Sequence, residues 1–237
     1  MKLLIDIGNT STKLAIADAQ TLELIHFEHL HESWKDTFDR LLTEHLVDGI
    51  HISTVAGKDP DLLSCLGSIG IPSTWLTVDC VCKVKPITGI PSTYGVDRYA
   101  ADMGAVAQDP HSTLLVIDAG TCITYDLISA DGALLGGVIS PGVQLRLKSM
   151  HEHTAQLPLL KAQPWSELMG VDTVTGMISS AVNGTLFEME GYISRLCRQY
   201  ADLHVFITGG SHIELPSNIP CRVTFDENLL FKGLAAL

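Results

Sequence analysis

Two aspartates, about half a chain apart, each end a short apolar run and lead into a glycine. Asp6 begins the run Asp6-Ile7-Gly8, and Asp118 begins Asp118-Ala119-Gly120. Small hydroxyl or amide residues follow, and then a second strand-like run, so each copy predicts a hairpin with a carboxylate at its bend. Glycine there lets backbone N–H groups approach a ligand closely. Because a carboxylate tolerates phosphate only with a cation between them, the pair indicates nucleotide and metal chemistry.

A single Asp-x-Gly is ordinary turn chemistry, so the repetition carries this interpretation. The first bend continues with four residues that can donate to phosphate oxygens, Asn9, Thr10, Ser11 and Thr12, and then with the cation Lys13. Alternate side chains must point away once the strand resumes, and Lys13 could equally face solvent. Neither aspartate is flanked by the Gly-x-x-x-x-Gly-Lys pattern. The predicted phosphate cradle is therefore a hairpin bend and not a P-loop.

A second group of reactive side chains opens an alanine-rich helical run at Gly95-Val96-Asp97-Arg98. An aspartate in this place usually caps its helix by accepting a free backbone N–H. Alternatively, Asp97 is a general base that takes a hydroxyl proton while Arg98 holds an anionic group of the substrate. The spacing leaves both interpretations open.

The hydrophobic periodicity predicts an α/β scaffold for these residues. Helices are predicted over 34–46, from Asp59, over 95–108, from Ser140-Pro141, and over 172–200 with a break near Gly191 as an alternative. Strand-like runs cover 21–30, 49–55, 74–78, 113–118, 121–128, 133–139 and 203–208. A boundary near Asp109-Pro110 divides the chain into predicted domains 1–110 and 111–237, each with one Asp-x-Gly hairpin.

Composition narrows the classes of partner. With 15 Lys and Arg against 27 Asp and Glu, the net charge of −12 argues against a nucleic-acid or anionic membrane surface. Asp6 interrupts the first apolar run before it could form a signal peptide or a membrane span, so a cytoplasmic location is expected. The six cysteines have no Cys-x-x-Cys spacing and are expected to be reduced thiols.

Taken in order, the motifs resemble type III pantothenate kinase. The resemblance rests on Asp6-Ile7-Gly8-Asn9-Thr10, Gly95-Val96-Asp97-Arg98, Asp118-Ala119-Gly120-Thr121, Ser140-Pro141-Gly142-Val143, Thr154-Ala155-Gln156-Leu157-Pro158, Thr173, Thr208-Gly209-Gly210 and Leu230-Phe231-Lys232-Gly233-Leu234. It extends over essentially the whole chain. It implies two ribonuclease-H-like domains of the acetate kinase, sugar kinase, chaperone and actin superfamily, with a nucleotide cleft between the domains.

The resemblance also implies residue roles. ATP and its phosphates would be bound by Asp6, Ile7, Gly8, Asn9, Thr10, Ser11, Thr12, Lys13 and Thr121. Pantothenate would be bound by Gly95, Val96, Asp97, Arg98 and Thr173, with Asp97 as the catalytic proton acceptor. Asp118 matches the position of a monovalent cation, K⁺ or NH₄⁺, and Mg²⁺ accompanies ATP. The chain departs from the family at Thr88, where a tyrosine is expected, and whether Tyr94 replaces it is open.

The implied activity is ATP-dependent phosphorylation of the primary hydroxyl of pantothenate to 4'-phosphopantothenate, the first step of coenzyme A biosynthesis. The family also implies a homodimer. The helical tract 172–200 has apolar residues on more than one face, which predicts an interface there, although that tract could instead be buried within one chain. Two alternatives remain: another small-molecule kinase on the same fold, and a non-catalytic nucleotide-binding regulator or actin-like assembly protein. Asp97 beside both hairpins argues against a pure binder, which needs no base.

Overall fold

The computed structural model describes residues 1–8, 11–18, 21, 23–30, 34–57, 59–80, 82–210, 215 and 219–237. The strands are β1 (Lys2–Ile7), β2 (Thr12–Ala17), β3 (Leu24–Leu30), β4 (Gly49–Thr54), β5 (Ser73–Trp75), β6 (Leu114–Ala119), β7 (Cys122–Ile128), β8 (Leu134–Pro141), β9 (His204–Thr208) and β10 (Arg222–Phe225). The helices are α1 (Lys35–Glu44), α2 (Pro60–Ile69), α3 (Val96–Gln108), α4 (Val143–Glu152), α5 (Thr173–Gln199) and α6 (Leu229–Ala235). In these ranges, none of the helices combines the length and apolar character needed to cross a bilayer.

The chain forms two compact units, each with its own sheet. Unit 1 contains Met1–His111, Ala130–Leu134 and Asn228–Leu237. Unit 2 contains Ser112–Ser129 and Leu135–Glu227. The C-terminal helix α6 therefore belongs to the first unit and not to the second.

The two sheets have the same strand order. Unit 1 runs β3-β2-β1-β4-β5, and unit 2 runs β8-β7-β6-β9-β10. In each, the first strand pairs antiparallel with the second, in the predicted hairpin, and parallel with the strand on its other side. The repeat seen in two short motifs is thus a repeat of a five-stranded sheet. The predicted α/β class with two ribonuclease-H-like domains is confirmed.

Each sheet buries its apolar strands against helices. In unit 1 the strand residues pack with Phe38 and Leu41 of α1, both fully buried. In unit 2 they pack with Met189 and Ile193 of α5, which are also fully buried. Three consecutive apolar residues of β1 and four of β6 are buried. Central strands covered on both faces produce this kind of continuous apolar run.

Several predicted element boundaries differ in the structure: β3 begins at Leu24 and β5 covers only Ser73–Trp75, so both are shorter than the predicted runs 21–30 and 74–78. Strand β8 continues to Pro141, and α4 begins at Val143 after an N-cap at Gly142, so the helix does not start at Ser140-Pro141. Helix α5 runs unbroken through Gly191. An interior glycine costs a helix about 1 kcal/mol. The burial of Met189 and Ile193 on either side of Gly191 offsets that cost.

Helices α3 and α6 touch at two glycines, and this contact gives a stability prediction. A Cβ on Gly233 would overlap the carbonyl oxygen of Ala100, and one on Gly104 would overlap that of Leu229. Since both obstacles are backbone, Gly233→Ala should lower the free energy of unfolding by about 3 kcal/mol. The free energy of unfolding is measured by urea denaturation, with circular dichroism as the signal.

Gly67→Ala in α2 is the matched control. A Cβ at Gly67 meets nothing within 4 Å, and alanine is the better helix former, so this variant should gain about 1 kcal/mol. Equal unfolding midpoints for the two variants would show that the α3–α6 contact is not as close as described.

Candidate active site

The bend between β1 and β2 places a carboxylate beside a cation and a hydroxyl. The backbone N–H of Gly8 donates to the carbonyl of Ser11 over 3.0 Å and closes the turn. Asp6 is opposite Lys13 on β2 and opposite Ser53 on β4, so the three side chains share one face of the sheet. Asn9 and Thr10 were assigned to this bend from the sequence and lie outside the described residues.

Ser53 and His29 were not foreseen in the sequence. Ser53 is fully buried, and its hydroxyl has no hydrogen-bond partner in the described part of the chain. A buried hydroxyl without a partner is unfavourable by about 1–3 kcal/mol. The Ser53 hydroxyl is in this state directly opposite Asp6 on the neighbouring strand. The His29 ring nitrogen Nε2 lies 2.7 Å from the hydroxyl of Ser11 and fixes that side chain. Both depend on strand pairing that no local pattern encodes.

The bend between β6 and β7 repeats this arrangement in unit 2. The N–H of Gly120 donates to the carbonyl of Cys122 over 3.0 Å. Asp118 is opposite Thr124 on β7 and Thr208 on β9. In both units, therefore, a hydroxyl residue on the neighbouring parallel strand faces the aspartate. Thr121 is exposed at the tip of the bend, as a ligand contact requires.

Two other backbone segments press against this second bend. The N–H of Gly142 donates to the carbonyl of Thr121 over 3.0 Å, and a Cβ at Gly142 would lie 2.8 Å from the same oxygen. Gly209 has a φ of +99°, and a Cβ there would lie 2.5 Å from Asp118 Oδ1. Side chains are therefore excluded on both sides. Gly142 is also the N-cap of α4, so the N–H groups of a helix N-terminus lie at the bend, an arrangement that favours anions.

A charged network holds the Gly142 segment in place. Arg146 donates to Glu188 Oε2 over 2.6 Å and to the carbonyl of Pro141 over 2.8 Å. Ser140 and Tyr125 each donate to Glu188 over 2.9 Å. Burial acts to raise the pKa of Glu188, but these hydrogen bonds outweigh it and hold that pKa below its usual value. The carboxylate therefore stays charged and ties α5, β7 and α4 together behind the bend.

Asp97 lies in the first turn of α3 but is not its N-cap. The N-cap is Gly95, and α3 begins at Val96. Asp97 Oδ1 accepts a hydrogen bond from the backbone N–H of Arg98 over 2.8 Å. The carboxylate folds back over Gly95, where a Cβ would lie 2.5 Å from Oδ1. The interpretation of Asp97 as the N-cap is therefore wrong, because Gly95 occupies that position, and a Cβ at residue 95 would compete with the carboxylate for the space over the helix end.

Thr173 and Thr88 occupy different settings. Thr173 is the first residue of α5 and is exposed, directly after an Asp172 N-cap that forms a capping box with Thr175. Hydrogen bonds from Thr175 hold the pKa of Asp172 below its usual value. Thr88 is exposed and forms an isolated bridge with Ala133, so no aromatic wall stands at that position.

The oxygen atoms around Asp118 suit a hard cation. Within the described ranges, no three His, Cys, Asp or Glu side chains come together as a metal cluster. The bend offers instead one carboxylate and, close to Gly209, the carbonyl of Ala119. K⁺ and Mg²⁺ take oxygen ligands and accept others from a phosphate or water, so this donor set fits them.

Two sheets of this topology, each with an aspartate at a glycine bend, define a member of the acetate kinase, sugar kinase, chaperone and actin superfamily. Solved structures agree at the level of the fold. An activator of 2-hydroxyisocaproyl-CoA dehydratase from Clostridium difficile, with bound ADPNP, matches with TM-score 0.53 and 13% identity over 99% of this chain and 92% of its own. A Campylobacter jejuni protein, provisionally described as a Baf family transcriptional activator, matches with TM-score 0.60 and 22% identity over 98% and 94%.

The chain belongs to the type III pantothenate kinase family. The family model matches residues 2–195. A type III pantothenate kinase from Bacteroides fragilis is 34% identical over 234 residues, which are 99% of this chain and 96% of that relative. The activity expected from the sequence is thereby confirmed: ATP, with Mg²⁺, phosphorylates pantothenate in coenzyme A biosynthesis. At 22% identity, the similarity to the Campylobacter jejuni protein shows only that the two chains share a fold.

Proposed function

We propose that Asp97 is the proton acceptor of the kinase reaction. The observation that carries this proposal is the carboxylate folded over Gly95, with Oδ1 held by the N–H of Arg98. Oδ2 makes no hydrogen bond within the described residues, so it is open to a substrate hydroxyl. A base held in one orientation at a helix end satisfies the geometric requirement for general base catalysis.

The chemical step follows from this placement. The primary hydroxyl oxygen of pantothenate forms a bond to the γ-phosphorus of ATP while the bond to the bridging oxygen breaks. ADP leaves with the electron pair, and the hydroxyl proton passes to Asp97 Oδ2. Because the transition state is loose, positioning and charge neutralisation contribute more than covalent help.

The two hairpin bends would hold ATP and its counter-ions. We assign the phosphates to the first bend, Asp6 to Lys13, and assign Thr121 as a contact from the second. Asp118 would hold a monovalent cation, K⁺ or NH₄⁺, and a cation there offsets phosphate charge. Arg98 and Thr173 would bind pantothenate together with Gly95, Val96 and Asp97. The repeated strand order supports two domains of one fold, as predicted for 1–110 and 111–237, except that 130–134 and 228–237 belong to the first of them.

Coupled ADP release tests the substrate class of the site, and the Asp97→Asn variant tests the proton acceptor. With ATP, Mg²⁺ and K⁺ present, pantothenate should elicit turnover, and a hexose of equal concentration should elicit none. Turnover on the hexose alone would assign the site to a different small-molecule kinase. ADP release without any acceptor would indicate an ATPase instead.

We further propose a homodimer formed through unit 2. Ile178, Ala181 and Met189 of α5 are covered by their own chain, so they cannot form the interface suggested by the apolar tract. Phe187 of α5 is 52% exposed, and Ile139 of β8 is 65% exposed. We assign the interface to these two elements.

Light scattering at micromolar concentration should give about twice the chain mass of 25.6 kDa. Phe187→Glu should shift the mass toward one chain, because a buried interface does not accept an unpaired charge. Leu46→Glu, at a side chain 90% exposed in unit 1, is the control and should stay dimeric. A mass near 25.6 kDa for the unmodified protein would exclude the dimer.

The cysteines support a cytoplasmic location. All six are free thiols, as expected from their spacing. Cys197 and Cys221 contact each other, and burial, followed by that contact, raises the pKa of Cys221 to about 12. A thiol that stays protonated is slow to oxidise, in keeping with a reducing compartment.

A further inference from the structure

Tyr94 lies directly beneath the side chain of Arg98. The guanidinium carbon of Arg98 is 4.3 Å from the centroid of the Tyr94 ring, which is the distance of a cation–π contact. Tyr94 precedes the N-cap of α3 and is 9% exposed, so its ring is a fixed surface and not a mobile one. Its backbone N–H also donates to the carbonyl of Pro91 over 3.0 Å, which closes a turn just before the helix.

The other end of the tyrosine is anchored inside the unit. The Tyr94 hydroxyl donates to Asp102 Oδ2 over 2.7 Å, and Asp102 is fully buried. A hydrogen bond from a hydroxyl to a buried carboxylate is among the stronger kinds. Because Asp102 lies four residues after Arg98, the two share one face of α3. The ring therefore lies along that face, held by its hydroxyl, with Arg98 stacked on it.

We infer that Tyr94 and Asp102 are positioning residues that set the guanidinium of Arg98 for the carboxylate of the substrate. The inference rests on the proposed role of Arg98 in binding pantothenate. Asp102 holds the Tyr94 ring by accepting its hydroxyl hydrogen bond, and the ring holds the Arg98 guanidinium by the cation–π contact. Arg98 then binds the carboxylate of pantothenate. Neither positioning residue needs to touch the substrate. Together they would give the enzyme its preference for a carboxylate over a neutral group at that end.

The physical reason is the conformational entropy of arginine. An unrestrained arginine side chain loses rotamer entropy when a ligand orders it. A side chain already stacked on a fixed ring has lost part of that freedom before the substrate arrives, so binding is tighter. Removing the ring should therefore weaken substrate binding and leave the phosphoryl-transfer step unchanged.

The test compares Tyr94→Leu, Tyr94→Phe and Arg98→Gln on two acceptors: pantothenate, and an analogue whose carboxylate is replaced by a neutral amide. Tyr94→Leu should raise the KM for pantothenate by about three- to thirtyfold, as expected for loss of a cation–π contact. Its kcat and its KM for ATP should stay within about twofold of the unmodified values. On the neutral analogue, Tyr94→Leu should have no effect beyond about twofold.

Two comparisons separate a positioning role from a structural one. In the double variant with Arg98→Gln, Tyr94→Leu should add nothing further, because it acts through Arg98. Tyr99→Phe is the control, since it removes another buried tyrosine hydroxyl, from α3, which also contains Arg98; this hydroxyl lies 3.8 Å from Cys82 Sγ. It should leave both KM values unchanged.

The inference is wrong if Tyr94→Leu raises the KM for pantothenate and the KM for the amide analogue equally, or raises neither. If Tyr94→Leu does not fold, Tyr94→Phe and Asp102→Asn replace it: each must raise the KM for pantothenate and spare the amide, or the inference is wrong. Failure of the proposed function looks different. In that case the unmodified enzyme does not turn over pantothenate, or Arg98→Gln leaves its KM unchanged.

Discussion

Replacing Asp97 with asparagine should lower kcat by about two to four orders of magnitude, the range expected for loss of a positioned base. Asparagine has the same shape, can still accept the N–H of Arg98 and can still lie over Gly95. It cannot take a proton from the substrate hydroxyl. The fold and the KM for ATP should therefore be preserved while turnover falls. Steady-state kinetics with circular dichroism and thermal melting on the same samples measure the effect.

The matched control is Asp61→Asn. Asp61 occupies the first turn of α2, as Asp97 does in α3, but it is exposed and belongs to no motif. Its replacement removes a similar charge from a helix N-terminus, worth about 0.3–1 kcal/mol, and should leave kcat unchanged. Turnover near normal in a folded Asp97→Asn protein would reduce Asp97 to a residue that stabilises the end of its helix.

The second large effect is expected at Asp118. Asp118→Asn should raise the KM for ATP by about ten- to a hundredfold and change the KM for pantothenate little, as expected for damage to a cation site. Without a cation, the carboxylate would repel the phosphates. The unmodified enzyme should be active in K⁺ or NH₄⁺ and much less so in Na⁺, and the variant should lose that preference.

Asp202→Asn is the control in the same unit. Asp202 precedes β9, whereas Asp118 faces Thr208 at the other end of that strand. It accepts hydrogen bonds from the N–H and the hydroxyl of Thr113, which asparagine can also accept. The Asp202→Asn enzyme should therefore have the same KM for ATP as the unmodified enzyme. Equal turnover of the unmodified enzyme in Na⁺ and K⁺ would rule out a selective monovalent site.

The hairpins could be predicted from sequence because their signals are local. An apolar run, an aspartate, a glycine and a second run fix the strands on either side of the bend, as both Asp6 and Asp118 show. The start of α3 was also correct to within a residue, since Gly95 ends one pattern and the alanine-rich run begins another. Strong short-range sequence patterns therefore predict the local structure correctly.

Features that depend on distant partners could not be predicted. Ser53 faces Asp6 only because β4 pairs in parallel with β1, and its own sequence looks like an ordinary strand. Gly142 was predicted inside a helix that begins at Pro141, because the sequence does not show that its neighbour is the backbone of the Thr121 bend. The Tyr94 to Asp102 hydrogen bond joins a loop to a helix interior in the same way.

Helix α6 has a consequence for the order in which the protein can fold during synthesis. Helix α6 packs on unit 1, where Gly233 and Gly104 bring it close to α3, yet it is synthesised after the whole of unit 2. Domains usually complete their structure from the N-terminus as they emerge. Here the surface of α3 that α6 covers stays exposed until unit 2 has been translated. The nascent chain is therefore most vulnerable to aggregation and to chaperone capture through its first half, and α6 removes that vulnerability once it has been synthesised and has packed on α3.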